Sequence, residues 1–193
     1  MILSAMLRTS DKSLIHYADD FVICCRGTAT EAMTVMRKMM GKLKLTVNED
    51  KTRMRRLPGE DFDFLGYTIG RCHSPTTGRA YIGTRPSKKS VRRAMAEVSK
   101  LTSCRTTWMA AEDVVGRLNR LLVGWGNYFH LGPVSKAYRA IDAHACHRLR
   151  RWLCRKHKIG GRGTRRFPYE YLVSDLGLVR LSATTHNLPW AKA

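Results

Sequence analysis

The sequence predicts an α+β chain, with a β-hairpin, a helix and short strands followed by an all-α stretch of three helices. Three observations carry this reading. Up to Ile69 the apolar residues fall in short runs rich in β-branched and aromatic types, whereas from Ser87 they recur at helical spacing. A loop rich in Gly, Pro, Ser and Thr, from Gly70 to Gly83, separates the two patterns. The charge divides at the same place: through Gly70 there are 11 basic and 9 acidic residues, a net of +2, and from Arg71 onward 24 and 6, a net of +18. The expected organisation is therefore 1–70, a linker at 71–86, a helical domain at 87–158 and a basic tail at 159–193.

Leu14-Ile15-His16-Tyr17 and Phe21-Val22-Ile23-Cys24-Cys25 flank Ala18-Asp19-Asp20 and read as a hairpin that Gly27 ends. Thr28 and Glu31 fit a capping box, and the helix behind them turns Ala32, Met36, Met39, Met40 and Leu43 inward. Lys44–Val47 and Phe62–Ile69 read as short strands around a Pro58-Gly59 turn. Ser87 caps the next helix, with Val91, Met95 (or Ala94), Val98 and Leu101 inward. A second helix carries Val114, Leu118, Leu121, Leu122 and Trp125, which places Trp125 in the core rather than on a base-stacking surface. After Gly132-Pro133 a third carries Val134, Tyr138, Ile141, Ala145, Leu149 and Trp152, and the sequence from Gly160 reads as irregular.

A net charge of +20 costs self-repulsion unless a polyanion relieves it, and nucleic acid is the commonest such partner. An anionic membrane is the competitor, but no run approaches the ~20 apolar residues of a membrane span, and the apolar start is too short for a signal peptide. Six cysteines without such a signal read as reduced thiols, which places the chain in the cytoplasm. Cys146, His147, Cys154 and His157 all fall along one expected helix, whereas zinc ligands normally come from two elements, so no zinc is expected.

Two adjacent carboxylates at a tight hairpin repel each other. From the dipeptide alone, Asp19-Asp20 reads as a polar turn. A divalent cation would offset the repulsion, and Mg²⁺ prefers one or two carboxylates plus substrate phosphates. In context, His16-Tyr17-Ala18-Asp19-Asp20-Phe21-Val22-Ile23 resembles the catalytic hairpin of group II intron reverse transcriptases. Leu45–Thr52 and Phe64-Leu65-Gly66-Tyr67 resemble the palm motifs that follow it. Leu118–Phe129, running on through Gly132–Tyr138 to Arg151-Trp152-Leu153, resembles the maturase domain of the same family, the thumb called domain X.

The resemblance implies the end of a reverse-transcriptase palm followed by a three-helix thumb. Asp19 would be a Mg²⁺ ligand with Asp20 beside it, Tyr17 would lie near the primer end, and Lys51 would stand near the active site. The family reaction is RNA-directed DNA synthesis, and its second role is binding group II intron RNA to assist splicing. Primer and template are the implied partners beside the intron. Phosphate contacts would fall to Lys88, Lys89, Arg92 and Arg93, then Arg117 and Arg120, then Arg148, Arg151 and Arg155, because helix packing leaves these faces free. Between Cys146 and Arg166 there are nine basic residues and no acidic one, as phosphate binding favours. Only thirteen residues, with Asp11 as their sole acid, precede Leu14, where the family has fingers and an earlier metal-binding aspartate. The expectation is a fragment without polymerase activity on its own, its fingers lost or supplied by a separate chain. A non-catalytic RNA-binding maturase module or mobile-element remnant is the alternative.

Overall fold

The computed structural model describes residues 2–5, 12–18, 20–25, 29–74 and 76–184. The chain is mixed α/β and forms two compact units, Met1–Thr84 and Arg85–Ala193.

In the first unit β2 (Lys12–Tyr17) and β3 (Asp20–Cys25) pair antiparallel, with Tyr17 opposite Asp20 at the turn. They belong to a four-stranded sheet ordered β2-β3-β1-β4, completed by β1 (Ile2–Ala5) and β4 (Arg53–Arg56), both parallel to β3's direction. Strand β1 has no counterpart in the sequence reading, since four residues are too few to display a period of two.

Helix α1 (Ala29–Lys42) covers this sheet through Ala32, Met33 and Met36, which are buried with Cys25. Thr28, read as its cap, lies outside the described residues, as does Gly27. The buried stripe leans toward Met33, so Met39, expected inward, is exposed. Leu43 is exposed too because the helix has already closed. Lys44 takes φ 54°, and Leu45 N–H reaches Met40 O at 2.9 Å while Lys44 N–H reaches Gly41 O at 3.1 Å. This is a Schellman motif with lysine in the left-handed position. It also removes the strand expected at Lys44–Val47, which is irregular.

A second sheet, β5-β6-β7, follows: Phe62–Phe64, Tyr67–His73 and Ala80–Pro86. Leu65 (φ 49°) and Gly66 (φ 81°) form the two-residue turn between β5 and β6, both in the left-handed region that suits the strand twist. Residues 71–86, read as a linker from their composition, are thus mostly strand. Ser74, Thr77 and Gly78 serve the turn between β6 and β7, and Gly83 and Thr84 lie within β7. Val22, Leu57 and Phe62 form a small core between the sheets' residues.

The second unit packs α2 (Lys88–Leu101), α3 (Ala111–Tyr128) and α4 (Ser135–Lys156) around Val98, Leu118, Leu122, Ile141, Leu149 and Trp152. Ser87 caps α2 as expected, its side chain accepting Ser90 N–H at 3.1 Å. Trp125 is half-buried against the core, 4.5 Å from Phe129 and 5.9 Å from Tyr138 between ring centroids.

The segment after Gly160 departs from its irregular reading. Phe167, Leu172, Leu178 and Leu181 are buried in the same core. Asn119 Nδ2 donates to Gly177 O at 2.8 Å and its Oδ1 accepts Val179 N–H at 2.9 Å. Asp142, buried on α4, accepts Leu181 and Ser182 N–H at 2.9 Å each and so caps the short helix α5 (Leu181–Thr184). A Cβ on Gly126 would stand 2.8 Å from Leu181 Cδ2, so the glycine lets the Leu181 side chain pack directly against α3. No helix among the described residues is long and apolar enough to cross a membrane.

Candidate nucleic-acid interface

The hairpin turn starts from its own pairing. Tyr17 opposite Asp20 leaves only two residues to reverse the chain, and Ala18 takes φ 51° to do so. An alanine in this region is uncommon, and such strain persists where the surroundings hold it. Tyr17 is 66% exposed and Asp20 is exposed. Asp19 lies outside the described residues.

Lys51 stands exposed on a turn in which its N–H reaches Asn48 Oδ1 at 3.1 Å. Val22 and Arg53 both pair with Ile2, so β3 and β4 enter the sheet at one end and in the same register. Asp20 and Lys51 each precede that level by two residues. The strands they lead into are separated by β1 alone, roughly 10 Å apart at ordinary strand spacing. The structure therefore brings the hairpin turn and the Lys51 turn to one edge of the sheet.

In the second unit Lys88, Lys89, Arg92 and Arg93 are exposed on α2, Arg117 and Arg120 on α3, and Arg151 and Arg155 on α4. Arg148 differs. Its Nη2 donates to Ser99 O at 2.9 Å and Thr102 O at 3.2 Å, and its Nε to Thr102 Oγ1 at 3.2 Å. A guanidinium on the last carbonyls of α2 is a helix cap. Partial burial, then the neighbouring Arg155 and Arg151, pull its pKa below the ordinary arginine value. Its sequence spacing gave no sign of this, because the partners lie 46 and 49 residues away. His144 completes the tie between α4 and α2, its Nε2 lying 2.9 Å from Ser99 Oγ and 3.1 Å from Met95 O.

Two cationic concavities were not expected from the sequence. One, of about 460 Å³, has Pro86, Val91 and Pro133 beneath Arg85, Lys88, Arg92 and Lys136. The other, of about 340 Å³, gathers Arg139, Arg150 and Arg180 around Asp142. Helical spacing could have found Arg139 and Arg150, which share the Asp142 face of α4. Nothing local places Arg180 there, since the fold of the terminal segment does so. Burial raises the Cys146 thiol pKa, with Asp142 adding to it. Among the described residues no three His, Cys, Asp or Glu converge in a way that could hold a metal.

A helical unit that exposes arginine or lysine on all three of its long helices has a surface suited in charge to a polyanion. The family is more specific. Residues 91–169, running from α2 to the start of the terminal segment, match the model for the group II intron, maturase-specific domain. Most of the second unit is therefore similar to the group II intron, maturase-specific domain, and such a domain implies a group II intron maturase involved in intron splicing, with intron RNA as partner. No curated protein matches the chain significantly.

Proposed function

We propose that the second unit is the thumb, domain X, of a group II intron reverse transcriptase, that the first is the end of its palm, and that the chain works by binding folded intron RNA. The observation that carries this is the chemistry of the free surface. Lys88, Lys89, Arg92 and Arg93 on α2, Arg117 and Arg120 on α3, and Arg139, Arg151 and Arg155 on α4 are exposed and outnumber the exposed acids Glu97, Glu112 and Asp113, in a unit most of which matches the maturase-specific model. Such a surface recognises shape and backbone phosphate rather than sequence. The test is filter binding of the 193-residue chain to a group II intron RNA. The expected result is a loss of several orders of magnitude in affinity between ~50 and ~200 mM salt. Binding that ignores salt would remove the proposal.

The reverse-transcriptase reading of the first unit is supported by the shared sheet edge of Tyr17, Asp20 and Lys51. There Asp19 and Asp20 would be the residues to hold Mg²⁺, whose chemistry is to neutralise charge on the reacting phosphates. Both of these carboxylates come from one hairpin turn. Two-metal phosphoryl transfer asks for ligands from more than one element, so the chain alone is expected to give no primer extension on an RNA template. A separately encoded fingers-palm chain is the partner that would complete it. Strand β2 supports that partner, since it is a sheet edge with Leu14 and Ile15 both exposed. Extension by the unmodified chain that vanishes in Asp19→Ala would show a complete catalytic set here.

A further inference from the structure

Trp108, in the connection between α2 and α3, is 80% exposed. Tryptophan is among the most buried residue types on average, so an indole held in water needs a reason. Here the backbone leaves it no alternative. Met109, its neighbour, is buried in the core. Lys156 of α4 donates through Nζ to Thr107 O at 3.1 Å and to Met109 O at 2.7 Å, gripping the carbonyls on both sides of Trp108. Just before it, Thr106 Oγ1 accepts the Trp152 indole N–H at 3.0 Å and is itself bonded to the backbone of Leu101 and Ser103. The loop is fixed at three points, and Trp108 is the side chain it turns outward.

The surroundings state what such a ring would meet. Lys156 holds the loop against the C-terminal half of α4, where Arg151 and Arg155 are exposed, and Arg105 is exposed within the loop itself. An exposed apolar ring on a loop that carries Arg105 and is tied by Lys156 to the arginine-rich end of α4 suits a ligand with a flat π-face and phosphates beside it. An acidic peptide would satisfy the cations but not the indole.

We infer that Trp108 is a stacking platform for an unpaired base of the RNA, with Arg105 and Arg155 taking the flanking phosphates. This rests on the RNA-binding reading above and names the element of RNA it selects. Bulged and looped nucleotides expose the π-face that a paired base hides. Stacking is sequence-tolerant, so the platform reads an unpaired position rather than a base identity.

The experiment compares two RNA hairpins of equal length, one fully paired in its stem and one with a single-nucleotide bulge. Each is bound to the full chain, to Trp108→Ala and to Trp108→Phe. The expected result is that the parent prefers the bulged RNA. Trp108→Ala should lose roughly five- to 150-fold on that RNA alone, the range that base–aromatic stacking gives. Its affinity for the paired stem, its salt slope and its melting temperature should match the parent, because the ring covers no core. Trp108→Phe should recover most of the loss. If the parent binds neither RNA, the RNA-binding reading falls and this inference with it. If the parent binds both and Trp108→Ala binds the bulged RNA equally well, the inference alone is overturned. The same holds if the variant instead changes the sedimentation of the protein without RNA, which would make Trp108 a protein contact.

Discussion

Among the described residues of the first unit the hydrophobic clusters are two small groups, Val22 with Leu57 and Phe62, and Cys25 with Ala32, Met33 and Met36. In the second, twenty described residues close into a single core. The surfaces run the other way. Leu14, Ile15, Tyr17, Val35, Leu43 and Leu45 are exposed in the first unit, whereas the second, which also exposes Trp108, Val123, Tyr128 and Leu131, carries 22 basic residues against 6 acidic ones. The difference teaches where each unit looks for its complement. A closed core frees a surface to be charged and to meet a polyanion. Exposed apolar side chains such as Leu14 and Ile15 on an edge strand suit a second protein layer.

The largest expected effect tests the core side of that comparison. Trp152 is fully buried and its indole N–H is bonded to Thr106 Oγ1. Trp152→Ala should cost the second unit about 3–5 kcal/mol, and Met36→Ala in the first should cost nearer ~2 kcal/mol. Urea unfolding followed separately in the two units measures both. Equal losses would mean that the first core is as closely packed as the second.

Next comes the docking of the terminal segment. Asp142→Ala removes the acceptor of two backbone N–H groups, at Leu181 and Ser182. Leaving such donors unmatched typically costs about 1–3 kcal/mol. Limited proteolysis should then cut between Leu176 and Thr184 sooner than in the parent. An unchanged cutting pattern would assign the docking to Leu172, Leu178 and Leu181 alone.

The elements whose signals are local were legible in the sequence: the hairpin around Ala18, the Ser87 cap, and the apolar stripes of the three long helices. What escaped was set by partners far along the chain. Strand β1 exists through its pairing with β3 and β4 rather than through its own four residues. Lys44 ends α1 in a left-handed turn that glycine or asparagine would have announced. The terminal segment folds because Asn119 and Asp142 await it on α3 and α4. For the site, periodicity separated exposed arginines from the core. It could not tell Arg148, bonded to α2, from Arg151, which is exposed, and it passed over Trp108 because a lone aromatic in a loop has no period.

That pair of arginines gives a sharper test of the surface side. Arg148→Gln should lower stability by about 1.5–3 kcal/mol, since bonds made by a charged donor are lost. Arg151→Gln should leave the melting curve in place and reduce the salt slope of RNA binding by about 0.7–0.9, the share of one phosphate contact. If Arg148→Gln instead melts like the parent and loses RNA affinity, its guanidinium serves the ligand more than α2.

The smallest effect concerns His144, which stands beside Arg148 in the same tie. In the neutral ring one nitrogen donates and the other accepts. A carbonyl can only accept, so the Nε2 facing Met95 O carries the proton, and Ser99 Oγ shares it. Charging the ring would place a cation in a partly buried seam with Arg148 and His147 nearby. Burial first, and those two charges after the opposing pull of the Met95 carbonyl, hold its pKa below the usual histidine value. The folded ring therefore binds fewer protons than the unfolded one, and stability rises with pH across that window. The contribution is complete above the unfolded pKa, about 6.5, and is lost as pH falls through the lower folded value. Melting temperatures of the parent and His144→Gln at pH 7.5, 6.0 and 5.0 measure it, because glutamine keeps a donor for Met95 O and cannot titrate. The parent should lose more stability on acidification than the variant, whose curve should be flatter. The other six histidines are present in both proteins, so the difference isolates His144 together with its coupling to His147. Two parallel curves would show the seam to be hydrated enough for the imidazolium, and the α2–α4 tie would then rest on Arg148 alone.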